Sequence, residues 1–419
     1  MNPVTMQALL GVGAFFMVCW GFSENRKQIP FLSIVFGIVA QFAIAALIMN
    51  VEIVHQVFLY LSKGVLAIRD ATLQGTSFVF GFVGGGAPPF DVKGNTFVFA
   101  FQVLPMIMVV SALAMLLFYW RILPAFVKGV SWLMRKTFGI GGALGVCSAA
   151  QIFLGQTEAP LLVRPYLKDM SRSEIFSIMC MGFATTSATI MGLYALVLEH
   201  TIPHSTVHIL TASIISIPAA LSLSRMVVPP SQNQTAGDMV MPYAFTGATD
   251  AISKGTSDGI RLFINVLAML IVFVALVALV NKILSLLPSF MGAPLTLQGI
   301  LGTLMSPLAW LMGIPWEEAK VAGSLLGVKT VLNEFYAFTE LAKIPDVSLS
   351  LHSRVIMTYA LCGFANVSSI GIMIGGFGGL VPEKRSDIIS LSFKALVVGT
   401  LSSCLSGTVV GLLGGISSN

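Results

Sequence analysis

Residues 138–168 read FGIGGALGVCSAAQIFLGQTEAPLLVRPYLK. The segment is apolar over most of its length, but Gly155-Gln156-Thr157-Glu158-Ala159-Pro160 interrupts it at the centre. A second segment, 316–343, is interrupted in the same way at Asn333-Glu334-Phe335. Each is followed by an apolar helix carrying a polar cluster. Thr185-Thr186-Ser187 begins 27 residues after Glu158, and Asn366-Val367-Ser368-Ser369 begins 32 residues after Glu334. Broken apolar segments in corresponding positions of an internal repeat point to a binding site at membrane depth.

The rest of the chain supplies the membrane context. Eleven stretches of at least 20 residues contain no Asp, Glu, Lys or Arg. They are 1–23, 28–51, 71–90, 94–120, 137–157, 175–198, 200–224, 262–281, 283–316, 355–382 and 395–419. A helix crosses the hydrocarbon with about 20 such residues. Only 10% of the 419 residues are charged, against roughly 25% in soluble domains. A soluble enzyme, a disordered chain and a nucleic-acid binder are poor fits. The five cysteines lie far apart in apolar runs, with no CxxC or Cys/His cluster, so neither a disulfide framework nor a zinc site is supported. His204 and His208 are one helical turn apart, but no third ligand is evident, and an interfacial pair is the plainer reading. Residues 1–22 lack a basic region and a cleavage signal, which predicts a retained first helix.

Periodicity and breakers predict eight crossing helices, at about 3–22, 30–50, 95–120, 174–198, 207–227, 260–284, 353–378 and 386–415. An amphipathic helix over 53–70 would lie in the interface. Residues 297–313 read as an apolar connector, and 229–258 as a mobile polar loop that faces the inside and takes no part in the mechanism. The expected fold is all-α and polytopic, with eight transmembrane helices, two opposed re-entrant hairpins and an internal inverted repeat. The expected divisions are 1–136, 137–228 with the first hairpin, the loop over 229–258, 259–315, and 316–419 with the second hairpin. With the N-terminus outside, 14 basic residues fall inside and 8 outside, which favours both termini outside.

Glu158 and Glu334 are carboxylates in otherwise apolar sequence, where a charge costs about 3 kcal/mol and needs a polar partner or a watery site. Capping a hairpin tip is the plain alternative for each. Gln156 and Thr157 add an amide and a hydroxyl beside Glu158. Asn366 and Ser369 share a helical face, and Phe364 precedes them. Gln151, Leu154, Thr185 and Thr186 suit a small hard cation, through freed carbonyls and a hydroxyl. The alternative is that the hydroxyls bond back to their own helix. No phosphate loop, nucleophile triad or metal motif appears. A secondary transporter is favoured over an intramembrane enzyme, which needs a nucleophile–base pair or metal cluster, and over a passive channel, which needs a continuous pore.

At these residues the chain strongly resembles the concentrative nucleoside transporter family. The resemblance rests on Gly75-Thr76-Ser77-Phe78-Val79-Phe80-Gly81, Gly155-Gln156-Thr157-Glu158-Ala159-Pro160, Gly327-Val328-Lys329-Thr330-Val331-Leu332-Asn333-Glu334-Phe335 and Ala360-Leu361-Cys362-Gly363-Phe364-Ala365-Asn366-Val367-Ser368-Ser369-Ile370. It implies a homotrimer in the cell membrane that imports nucleosides, pyrimidine nucleosides first, with a coupling cation, working as an elevator in which 137–228 and 316–419 move against a scaffold of 1–136 and 259–315. It implies that Gln156, Thr157, Glu158 and Ile190 face the nucleobase. Glu334, Asn366 and Ser369 would hold the ribose, with Phe364 nearby. The family's Na⁺ site maps to Gln151, Leu154, Thr185 and Thr186. Sodium-coupled bacterial members usually carry Asn where this chain has Gln151, which leaves H⁺ as the alternative coupling ion.

Overall fold

The computed structural model describes residues 3–89, 91, 96–230, 234–241, 243–288 and 294–417. Lys93, one of the outside basic residues in the orientation count, lies outside the described residues, as do 231–233 and 242 of the polar stretch. Among the described residues the chain is all-helical, with no strand.

The outer part begins with α1 (Pro3–Gly21), α2 (Phe31–Asn50) and α3 (Glu52–Phe80). The amphipathic helix expected over 53–70 therefore runs on to Phe80, and ends where Gly81 takes a φ of 62°. The third expected crossing is kinked, into α4 (Phe99–Gln102) and α5 (Met106–Tyr119), around Pro105. The basic stretch after it forms α6 (Ile122–Phe138).

The first hairpin follows. α7 (Gly142–Ala150) leads into the irregular tip, and the return arm is a 3₁₀ segment, Ala159–Asp169, with Pro165 inside it. The expected continuous helix 174–198 is two helices, α8 (Arg172–Ala184) and α9 (Ala188–Val197), separated at Thr185-Thr186-Ser187. α10 (Ser205–Val227) comes next.

The polar stretch 229–258 differs from expectation twice. α11 (Ala248–Leu284) starts well before 260. The residues ahead of it form a strap clipped to α8, to the end of α6 and to the first hairpin. Thr235 donates its amide to Glu174 Oε1 at 2.9 Å and its hydroxyl to Oε2 at 2.8 Å. Gln234 donates to Gly139 O at 2.7 Å, and Val240 N donates to Leu162 O at 2.8 Å. Composition alone reports many turn formers, not which backbone groups find partners.

The expected connector 297–313 is a helix, α12 (Leu297–Leu311), bent by 116° against α13 (Trp316–Val331). α13 and α14 (Glu334–Lys343) make the second hairpin. The expected helix 353–378 is also broken, into α15 (Leu351–Leu361) and α16 (Val367–Ile372). A π-turn links α16 to the short α17 (Gly378–Leu380), and α18 (Arg385–Ser417) closes the chain. Seven helices among the described residues are long and apolar enough to cross a membrane, or eight if the bent α12–α13 pair is one span. The expected seventh crossing is not among them, because its two halves are short.

Burial separates two layers. The spans of α8–α9, α10 and α18 are 89%, 83% and 78% buried, whereas that of α11 is 6% buried. The inner helices are rich in Gly, Ser and Ala, which lets their backbones approach. A Cβ on Gly399 of α18 would come within 2.4 Å of Phe183 Cβ at the end of α8. At one end Glu24, beyond α1, accepts from Arg172 of α8 at 3.1 Å and from Lys394 of α18 at 3.0 Å.

Candidate functional site

Four helix breaks meet in the interior: the two hairpin tips and the two interrupted helices. The interrupted helices cross at their gaps. Phe364 N donates to Thr185 O at 3.3 Å, and Thr186 Oγ1 lies 3.5 Å from Cys362 Sγ. Gly363 makes this crossing possible. Its φ is 155°, and a Cβ there would sit 2.8 Å from Phe183 O and 2.9 Å from Ala184 O.

One cavity of about 380 Å³ opens beside this crossing. Gln156, Thr157, Glu158, Ile190, Glu334, Phe364, Asn366 and Ser369 all line it. Glu334 is the best-held of them. It is 5% exposed, and accepts from Tyr194 Oη at 2.7 Å and from Asn366 Nδ2 at 2.9 Å. Asn366 Oδ1 in turn accepts from Ser369 N at 2.8 Å and from Ser368 Oγ at 2.7 Å, which caps α16. Each carboxylate oxygen of Glu334 thus keeps acceptor capacity toward the cavity, in a fixed orientation.

The first hairpin is looser. Glu158 accepts a single long bond from Gly155 N, at 3.3 Å, which is the tip-capping geometry. It borders a second cavity of about 370 Å³ together with Leu154, Tyr243 and Asp258. Gln156 Oε1 is buried without a protein partner among the described residues. Such an atom carries a desolvation cost until a ligand or water supplies a donor.

The candidate cation residues lie off the main cavity. Gln151 is fully buried. Its Nε2 donates to Ile178 O of α8 at 3.0 Å, and its Oε1 has no protein partner among the described residues. Thr185 Oγ1 donates to Met181 O at 2.8 Å, the back-bond to its own helix. Thr186 is fully buried and Leu154 is 9% exposed. An orphaned amide oxygen beside a broken helix end is an oxygen-rich setting that fits a hard cation. Among the described residues no group of three His, Cys, Asp or Glu is placed to hold a metal. His208 instead pairs with Tyr359 Oη at 3.1 Å.

Several residues escaped the sequence reading. Tyr194 sits one turn after Ile190 on α9. Asn265, with Leu262, Val266 and Met269, supplies the α11 wall of the cavity. Asn265 is the polar exception in the uncharged run 262–281 nearest its start, and that was a usable signal. Lys329 and Arg354, counted as outside basic residues, are 0% and 1% exposed, so they do not report on orientation.

Comparison with known proteins matches this architecture along the whole chain. Residues 10–83 match the N-terminal model of the Na⁺ dependent nucleoside transporters, and 208–411 match the C-terminal model. Residues 100–201 match a nucleoside recognition (Gate) model. The nucleoside permease NupC of Helicobacter pylori is 37% identical over 417 residues, covering 98% of each chain. The solved structure of CNTnw in an inward-facing substrate-bound state is 34% identical with a TM-score of 0.89, covering 99% of both chains. A CNTnw variant in an outward-facing state gives 0.90 at 34% identity, covering 100% of this chain and 99% of that one.

Proposed function

We propose, from the premise that this chain belongs to the concentrative nucleoside transporter family, that it is a secondary active symporter. It imports nucleosides, uridine and other pyrimidine nucleosides first, down a Na⁺ gradient. It sits in the cell membrane with both termini outside, works as a homotrimer, and moves its hairpin part as an elevator. Its relatives are transporters, not enzymes.

The observation that carries this reading is the convergence of eight residues from both broken units on one cavity, opposite the α11 wall. Glu334, oriented by Tyr194 and Asn366, accepts two hydroxyls of one ribose. Gln156, Thr157 and Glu158 meet the polar edge of the base, and Ile190 and Phe364 pack on its faces. Gln151 Oε1, the Leu154 carbonyl and the hydroxyls of Thr185 and Thr186 hold the cation. A bound Na⁺ supplies the positive charge that the orphaned oxygen lacks and stiffens the tip that presents Gln156 to Glu158. The two affinities must then be linked reciprocally. Likeness to both inward- and outward-facing structures supports alternating access, and the exposed apolar length of α11 supports contact with lipid or a neighbouring protomer.

The test is uptake of radiolabelled uridine into proteoliposomes under Na⁺ and H⁺ gradients imposed separately. Accumulation with Na⁺ and none with a pH gradient in Na⁺-free buffer is expected. The opposite result assigns H⁺ as the coupling ion, and the Gln151 side chain is the feature that favours this second reading. Preloaded cold uridine should drive transient counterflow, which a channel does not show. 2′-Deoxyuridine should compete more weakly than uridine, and equal competition would remove Glu334 from the ribose.

A further inference from the structure

Lys329 belongs to the last turn of α13, five residues before Glu334, and is fully buried. Its ammonium donates to Ala360 O at 2.7 Å and to Ser403 Oγ of α18 at 3.0 Å. Ala360 is the next-to-last residue of α15, so its carbonyl is one of those a helix end leaves without an intrahelical donor. That end also carries partial negative charge. Broken membrane helices hold coupling cations at such C-terminal ends.

The first unit has a related layout with a different group, whose carbonyl partner lies in the middle of α8 rather than at its end. Gln151 follows the last residue of α7, at the end of its hairpin's leading arm. Its amide nitrogen also donates to a carbonyl of the next broken helix, Ile178 O, but its oxygen has no protein partner among the described residues. From each hairpin, then, one side chain reaches the leading half of the helix that follows. In the first unit that side chain is neutral with a spare acceptor. In the second it is a cation whose neighbours are a carbonyl and a hydroxyl.

We propose that Lys329 is a tethered cation: its ammonium holds, in the second unit, the place an exchangeable cation takes in the first. The inference rests on the reading of Gln151, Leu154, Thr185 and Thr186 as the exchangeable site. Its consequence is one exchangeable cation per protomer in each cycle. Lys329 is a positioning residue, fixing the end of α15 whose gap leads to Asn366.

The test is calorimetric titration of uridine into the purified full-length protein over a series of Na⁺ concentrations, with the wild type, Lys329→Ser and Lys329→Arg. The wild type should give a Na⁺ Hill coefficient near one. Lys329→Ser should bind uridine at least about tenfold more weakly at low Na⁺, and high Na⁺ should restore it with a coefficient rising toward two, because the vacated site is built of oxygens. Lys329→Arg keeps the charge and should behave as the wild type. Unchanged affinity and cooperativity in Lys329→Ser overturns the proposal. So does a loss that no Na⁺ concentration restores and that Lys329→Arg shares, which makes Lys329 structural. If the wild type shows no Na⁺ response, the coupling-ion reading fails by itself, and Lys329→Ser must still acquire a Na⁺ response for the tethered cation to stand.

Discussion

The two broken units share a plan and differ in how completely they are satisfied. In the second, both restarting helices are capped by asparagine: Asn333 accepts from Tyr336 N at 2.8 Å, and Asn366 accepts from Ser369 N at 2.8 Å. Its carboxylate Glu334 has two side-chain donors, and its cation Lys329 has two acceptors. In the first unit neither restart has a side-chain cap. Glu158 makes none, and Ser187 pairs with Thr189 Oγ1 at 2.7 Å instead. Among the described residues, Gln151 and Gln156 each keep a buried oxygen without a partner. A buried polar atom without a partner costs about 1–3 kcal/mol. The second unit thus satisfies its polar groups within the protein, whereas the first, among the described residues, keeps acceptors open to an added donor or cation.

The sharpest way to break that contrast is to compare the two carboxylates. Glu334→Gln should weaken uridine binding at least about tenfold, since hydrogen bonds to a charged group contribute about 1.5–3 kcal/mol. Glu158→Gln should cost less, because Glu158 is not pre-oriented. Calorimetry that ranks the two losses in the opposite order would refute the comparison. Next comes Thr185→Val, which keeps the shape and removes the hydroxyl. The backbone amide of Thr185 still bonds Met181 O at 3.0 Å, so the fold should survive while the Na⁺ dependence of uridine affinity disappears. A preserved dependence means that Thr185 only bonds back to its helix.

How far the sequence carried this picture depends on the chemistry of each break. The first tip was legible because Gln156-Thr157-Glu158 is polar in an apolar run, and the second because Asn333-Glu334 is. The gaps at 185–187 and 362–366 were not, since Thr, Ser and a single Gly are tolerated inside membrane helices and only the crossing at Gly363 forces them open. α12 was missed because an apolar stretch bounded by Pro reads equally as a connector. The strap was missed because Thr235 is held by Glu174, a partner 61 residues away. Lys329 stood in plain view beside Glu334, yet a lysine near an expected helix end reads as an interfacial charge. Only its enclosure by α15 and α18 shows otherwise.

Two smaller effects sharpen the contrast from the stability side. Asn333→Ala removes a cap and should cost about 1 kcal/mol, read as a lower thermal unfolding midpoint in detergent, whereas Ser187→Ala should leave the midpoint nearly unchanged. Equal shifts would mean that the capping difference has no energetic content. The smallest effect is expected at Glu24, outside both units. Bonds from Arg172 and burial partly offset each other, with the pairings to Arg172 and Lys394 leaving its carboxyl below the usual range. Depression of a folded carboxyl stabilises above the unfolded value, and that contribution fades as pH falls through the folded one. Glu24 is partly exposed, so the loss should be under about 1 kcal/mol. Glu24→Gln should flatten the acid limb of a midpoint-against-pH curve by that small amount.

The strap also sets a leash length. Among the described residues its last backbone bond to the first hairpin is from Val240, and α11 begins at Ala248. The seven residues between them reach about 25 Å when fully extended. If the hairpin travels while α11 stays put, that reach is the largest separation the linker allows between Val240 and Ala248 before the clip at Val240 must open. For an elevator of the kind proposed, the spacing of this linker would then bound the stroke, and because Tyr243 within it also lines the cavity beside Glu158, only the residues after Tyr243 could be shortened without altering that wall.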